Sequence, residues 1–341
     1  MRQTLVQVGL GGATWMRDDL QAGSPAPKLR LGISSCLLGE RVRYDGGHKL
    51  DHFLVDVLGK FVEWEPVCPE VEIGLGIPRE SMRLVGDPDS PRLVAQKSGA
   101  DNTERMKAWA RSRLDGLAAR ELSGFVFKKD SPSSGLFRVK VYNQHGMAER
   151  TGSGLFARAV RDRFPLLPLE EEGRLNDLPL RENFIERIFA YYRWTELLRT
   201  DPTPGGLVRF HTAHKLTLMA HSPKHYTEMG RLVARAGTVS WAELSATYGR
   251  LFMEGLALLG TRRKHVNVLQ HLMGYLKRDL SAEDKRELLG LIEDYRQELV
   301  PLIVPLTLLK HHLRRHAVPE WLWQQVYLNP YPKELMLRNH V

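Results

Sequence analysis

The stretch KLRLGISSCLLGERVRYDGGHK, residues 28–49, decides the reading of the fold. Its first eight residues, KLRLGISS (28–35), form a short apolar run that predicts a strand. The run empties into Cys36 and then into a loop holding Gly39, Gly46 and Gly47. The same arrangement recurs twice. FVEWEPV (61–67) runs into Cys68-Pro69-Glu70, and GFVFKK (124–129) runs through Asp130 into Ser131-Pro132-Ser133-Ser134-Gly135. MRLV (82–85) and RVKVY (138–142) read as further strands, and PRLVAQKSG (91–99) as a β-excursion beside the main sheet. Helical patterns fill about 48–60, 102–121 and 153–163. Strands alternating with helices predict an α/β domain, a Rossmann-like parallel or mostly parallel sheet covered on both faces. In such a sheet the carboxyl ends of the strands share one ligand-binding crevice. The three loops are therefore expected to converge, which brings Cys36 and Cys68 close in space.

Farther along, the texture changes. FPLLPLEEEGRLNDLPLREN (164–183) reads as a connector entering a helix at about 180–198, and DPTPGG (201–206) is a sharp break. Helical periodicity then runs almost without interruption, over 207–220, 223–236, 239–258, 263–278, 282–299 and 303–316, with start signals at Ser240 and Ser281. This part is expected to be an all-α helical bundle. The predicted organisation is an N-terminal extension (1–27), a Rossmann-like domain (28–165), a linker and connecting helix (166–205) and a helical domain (206–341).

With 341 residues and 43% hydrophobic side chains, the chain is long enough for two domains and too apolar for wholesale disorder. No stretch has the length of a membrane span, and the opening residues do not read as a secretory signal. Two cysteines are too few for a disulfide scaffold, and the expected compartment is the cytoplasm. The net charge of +9 is spread evenly: residues 1–165 carry 25 basic and 20 acidic side chains, the remainder 24 and 20. That distribution gives only weak support to a nucleic-acid partner. The cluster Thr261–His265 reads as a solvated helix start, and VGLGGA (8–13) lacks the spacing of a phosphate loop.

Loop composition carries the chemistry. The glycines permit positive φ and close approach of a ligand, while Pro69 and Pro132 stiffen the turns. Glu70, two residues after Cys68, is a candidate proton donor or acceptor. Arg43, Asp45 and Lys49 are expected to lower the Cys36 thiol pKa and favour the metal-ligating thiolate. Ten of the 13 histidines lie beyond residue 165, in spacings such as His211-x-x-His214 and His221-x-x-x-His225. None has a carboxylate or cysteine in a catalytic spacing, so hydrogen-bonded histidines are expected, with His211 and His214 the best metal candidates. Pro223 is expected to part His221 from His225 at a helix boundary. Trp321, Trp323, Tyr327 and Tyr331 read as a packed aromatic terminus.

SSCLLGERVRYDGGHK, VCPEVEIGLGIPRE and FKKDSPSSGLFRVKVY together resemble the signatures of the TudS-type thiouracil desulfidases, over about residues 28–155. RFHTAHKLTLMAHSPKHY (209–226), RKHVNVLQHLMGYLK (263–277), PLIVPLTLLKHH (301–312) and QQVYLNPYPKEL (324–335) resemble a YbgA-like domain. The first resemblance implies a 4Fe-4S cluster held by three cysteines, with one open iron that takes sulfur from a thiolated pyrimidine, so that 2-thiouracil becomes uracil plus sulfide. It implies Cys36 and Cys68 as two cluster ligands, and Glu70 and Ser131 as residues that handle substrate and protons. Where the family has its third cysteine, this chain has Ser134. Serine is a harder and less acidic ligand than cysteine. Three alternatives follow: Ser134 ligates iron as an alkoxide, the cluster is lost, or the serine is an introduced substitution. The function expected is a desulfidase-like enzyme, with a cluster-deficient nucleotide- or RNA-binding protein as the alternative.

Overall fold

The structure, a computed structural model, describes residues 28–340. The expected extension and the VGLGGA stretch fall outside the described residues. In chain order the strands are β1 (Leu29–Ser34), β2 (Val62–Val67), β3 (Met82–Val85), β4 (Arg92–Ala95), β5 (Gly124–Phe127), β6 (Val139–Tyr142), β7 (Ala148–Gly152) and β8 (Leu169–Glu171). The helices of the first part are α1 (Pro69–Glu72), α2 (Thr103–Ala118) and α3 (Leu155–Arg163).

A parallel sheet forms in the order β2-β1-β5-β8. The chain steps from β1 to β2 on one side, then returns past β1 to β5, so the winding reverses between β1 and β5. That reversal opens a crevice at the carboxyl ends of the strands. Side-chain alternation assigns the two faces. Leu29, Leu31, Ile33 and Val126 pack on one, and Phe125 and Phe127 on the other, against Ala110, Leu114, Phe156 and Val160 of α2 and α3. Gly32 is required here, because a Cβ would sit 2.1 Å from the ring of Phe125. That ring stacks on Phe127 at 4.2 Å.

Two expectations for this region are corrected. MRLV and RVKVY do not join the main sheet. As β3 and β6 they form a second, mixed sheet, β4-β3-β6-β7, that includes the predicted excursion. Their alternating burial suits a sheet with one packed face, rather than one covered on both. The helix expected over 48–60 is a wide π turn, Phe53–Val57, followed by a 3-10 turn, Leu58–Lys60. Gly59 and the β-branched Val55 and Val57 disfavour a regular helix there.

The connector over 164–183 is also more than a linker. It supplies β8, and its acidic run is buried: Glu170 pairs with Arg174, Glu172 with Lys128, and Glu171 accepts from Leu136 N at 2.7 Å and Phe137 N at 3.0 Å. The partners of Glu171 and Glu172 lie 34 to 44 residues earlier in the chain, so the connector reading gave no sign of their burial.

The rest is helical: α4 (Leu178–Thr200), α5 (Pro204–His221), α6 (Pro223–Ala234), α7 (Trp241–Ala257), α8 (Arg262–Leu276), α9 (Ala282–Arg296), α10 (Ile303–Arg315) and α11 (Glu320–Trp323). The molecule is thus a Rossmann-like α/β domain followed by a helical bundle. Ser240 and Ser281 cap α7 and α9 as expected. Ser222 caps α6 ahead of Pro223, which ends α5 at His221. α4 serves both parts. Phe184, Ile185 and Ile188 cover the β1 face of the sheet, whereas Ala190, Trp194 and Leu197 join Phe210, Tyr248 and Phe252 in the bundle. Residues Tyr331, Leu335 and Leu337 return to the sheet and complete the same face. The return is fixed by Arg338 and Tyr331, which donate to buried Glu182 at 3.3 and 2.6 Å. Among the described residues no helix is long and apolar enough to cross a membrane.

Candidate functional site

After β1 the chain drops into a 3-10 turn, Ser35–Leu38, that buries Cys36. Gly39 ends it at φ +91°, a left-handed conformation that glycine adopts without strain. The loop then doubles back, with Lys49 N donating to Cys36 O at 2.8 Å and Asp51 N to Leu37 O at 3.0 Å. Its outer part is a tight turn: Arg43 N donates to Gly47 O, Gly46 N to Arg43 O, and Gly47 N to Asp45 Oδ1 at 3.0 Å.

After β2, Cys68 precedes α1, with Pro69 at the first helical position. Cys68 N donates to Glu72 Oε1 at 3.1 Å, and its thiol to Val42 O at 3.8 Å. After β5, the Ser131 hydroxyl organises the loop by accepting from Ser134 N at 3.1 Å and Ser133 N at 3.4 Å. Gly154 lets the start of α3 close on this loop, since a Cβ there would meet the Ser133 carbonyl at 2.5 Å.

The loops enclose a cavity of about 530 Å³ lined by Cys36, Cys68, Glu70, Ser131 and Ser134. All five residues singled out in the sequence are therefore brought together. Two further residues tie the loops to one another. Arg79, nearly buried, pairs with Glu70 Oε2 at 2.8 Å and donates to Val42 O at 3.0 Å. Ser133 donates to Glu70 Oε1 at 2.6 Å and shares a hydrogen bond with the Ser131 hydroxyl at 3.0 Å. Glu70 thus accepts at both oxygens, and a hydroxyl path runs from it to Ser131. Sequence reasoning missed both residues. The only trace of Arg79 is the turn-rich Gly74–Pro78 stretch that folds the chain back on Glu70.

The expected thiolate at Cys36 is not what the surroundings favour. Burial pushes its thiol up to about 11, outweighing the opposing charges of Lys128 and Arg43, and Cys68 and Glu70 raise it further. Cys68 is likewise raised, by burial and then by Glu70. Arg43, one of the expected cationic neighbours, pairs with Asp45 at 3.4 Å, and Lys128, a neighbour the sequence did not suggest, pairs with Glu172.

Five histidines of the bundle, His211, His214, His221, His225 and His265, are held by hydrogen bonds. His211 meets Tyr248 Oη at 3.2 Å, His214 meets Phe210 O at 2.9 Å, and His265 meets Tyr327 Oη at 2.9 Å. His221 bridges Leu258 O and Glu186. Among the described residues no group of three or more His, Cys, Asp and Glu is placed to hold a metal ion. At the start of α8, Lys264 and Arg262 bond backbone carbonyls of His221 and Tyr295. The packed aromatic terminus holds for Tyr327 and Tyr331, which are buried, whereas Trp321 is half-buried and Trp323 is exposed.

These features define a class: a Rossmann-like domain with a thiol-lined crevice at its switch point, joined to a helical bundle. Residues 31–172 match the family model described as 2-thiouracil desulfurase, and residues 215–332 match the one described as Protein of unknown function (DUF1722). The uncharacterized protein YbgA of Escherichia coli (strain K12) is 31% identical over 156 residues, which span 45% of this chain and 90% of YbgA. The uncharacterized protein YbbK of Bacillus subtilis (strain 168) is 29% identical over 155 residues, or 43% of this chain and 97% of YbbK. Among solved structures, a 4Fe-4S-dependent thiouracil desulfidase, TudS, is 30% identical, covering 46% of this chain and 100% of its own, at a TM-score of 0.38. The chain belongs to the YbgA family, with a 2-thiouracil desulfurase family domain preceding its DUF1722 region.

Proposed function

We propose that the crevice desulfurates a thiolated pyrimidine, converting 2-thiouracil and water into uracil and sulfide. The observation that carries this reading is the shared cavity: two thiols, a serine hydroxyl and a doubly anchored carboxylate face it, within the region matched to 2-thiouracil desulfurase. The donor set fits an iron–sulfur cluster held by three side chains, Cys36, Cys68 and Ser134, with oxygen in place of one sulfur. In support, the Ser134 hydroxyl makes no hydrogen bond among the described residues, although the residue is buried at the cavity wall. When bound, the cluster supplies a Lewis-acidic iron that polarises the C–S bond.

The chain's own residues manage the proton. The C–S bond breaks, a C–O bond to water forms, and the water proton passes to Glu70 Oε1. Arg79 and Ser133 fix that carboxylate in place, and the Ser133 and Ser131 hydroxyls extend the path. The unpaired cysteines suit a reducing compartment such as the cytoplasm.

Anaerobic purification with iron and acid-labile sulfide analysis tests the reading, alongside sulfide release from 2-thiouracil. Iron is expected in the wild type, and more of it in Ser134→Cys, with sulfide released by both. Equal occupancy in both forms refutes a ligand role for residue 134. No iron and no sulfide release from either form, with pyrimidine binding retained, overturns the enzyme in favour of a cluster-deficient binding protein.

A further inference from the structure

A cavity that takes a planar heterocycle needs a flat apolar surface as well as polar groups. The crevice is lined mainly by serines, charged side chains and thiols. Among its described lining residues, Tyr44 is the aromatic one. We infer that Tyr44 is the stacking platform for the pyrimidine ring and the residue that selects planar over puckered ligands. This inference rests on the desulfidase reading and goes beyond it by assigning ring recognition to a residue outside the cluster ligands and the proton path.

Three observations support it. First, Tyr44 is 44% exposed and its hydroxyl makes no hydrogen bond among the described residues, so the ring is not held as part of the core. Second, the ring sits on a rigid mount. Its turn is closed by the Arg43–Gly47 and Gly46–Arg43 hydrogen bonds, and Asp45 Oδ1 caps Gly47 N. Tyr44 O accepts from Arg79 N at 2.8 Å, and Arg79 is the residue that grips Glu70. The ring and the proposed proton acceptor are thereby held to one anchor. Third, the Arg43 guanidinium lies against the ring at 5.4 Å and is itself paired with Asp45, which steadies the aromatic plane. Base–aromatic stacking typically changes affinity by about ten- to a hundredfold on removal of the aromatic side chain.

The test is calorimetric titration of the full-length protein with uracil, 2-thiouracil and dihydrouracil. Dihydrouracil keeps the N3–H and both carbonyls but has a saturated, puckered ring. Wild type is expected to prefer the planar ligands by on the order of tenfold, and Tyr44→Phe and Tyr44→Trp to keep that preference. Tyr44→Leu is expected to weaken uracil and 2-thiouracil by a similar factor, to leave dihydrouracil unchanged, and to melt with the wild type. Equal preference in wild type and Tyr44→Leu overturns the stacking role alone. Failure of the wild type to bind any of the three overturns the desulfidase reading and this inference with it.

Discussion

Glu70 was legible from the sequence as a carboxylate beside a cysteine, but its chemistry is set by Arg79 and Ser133. With both oxygens engaged, the carboxylate has one fixed orientation in the crevice. Removing its function and removing its support should therefore differ in size. Glu70→Gln is expected to lower kcat for sulfide release by at least about a hundredfold. Ser133→Ala, which removes one charge-assisted hydrogen bond, should lower it on the order of tenfold, with little change in KM. Steady-state sulfide release measured on both variants at matched iron content checks this order. Arg79 was illegible because the ion pair it makes depends on a backward fold of the chain, and no local pattern records it. The misread thiolate has a related cause. The sequence places Arg43 and Lys49 near Cys36, but burial decides the outcome, and Arg43 is paired with Asp45.

Among secondary structures, strands with an apolar run were readable and the strand without one was not. β1 and β5 are buried almost throughout and β2 at both of its ends, and their loops identify the crevice. β8 consists of Leu-Glu-Glu and has no hydrophobic signature; its glutamates are buried because Arg174 pairs with Glu170 and loop amides donate to Glu171. The distribution of strands between two sheets was also hidden, since pairing partners are a property of topology rather than of any one strand. The β1–β5 pair offers a direct check of the packing. Gly32→Ala puts a methyl group into the Phe125 ring, which is already stacked on Phe127. It should cost about 1–3 kcal/mol or prevent folding, as read by urea unfolding with the m-value unchanged. An unaltered midpoint would mean that the Phe125 ring has room to retreat.

For the molecule as a whole, buried polar groups govern the response to pH and to substitution. Burial holds His214 and His265 down to about 3 and His211 down to about 4. A depressed folded value means that the unfolded chain binds the proton first. Their contribution is therefore present above the unfolded value of 6.5 and declines as pH falls from there toward the folded values. Each unit costs about 1.4 kcal/mol per histidine. His221 runs the other way. Burial opposes its charge, but the Glu186 carboxylate at 2.9 Å prevails and raises it, so its contribution is complete below 6.5 and is lost as pH rises through the raised value. Melting temperature should consequently fall between pH 6.5 and 4, and His265→Asn should flatten that fall. Parallel slopes in the two proteins would refute the assignment. Arg338→Leu is the corresponding test of the returning segment. It strands Glu182 without its buried cation and should cost about 3–5 kcal/mol in chemical denaturation.

The returning segment also has a consequence for synthesis. Glu182 meets Tyr331 across 149 positions of sequence, and the β1 face is completed by Tyr331, Leu335 and Leu337. A nascent chain that has already emerged with all of β1 to β8 still presents an open apolar surface under the crevice. α4 covers part of that surface first, and the remainder stays open until the segment beyond the bundle has been translated, because contacts of such long separation are slow to close. The first domain, although it comes off the ribosome early, is expected to become resistant to proteolysis only after residue 338 has been added. Pulse proteolysis of stalled chains of increasing length would time that event.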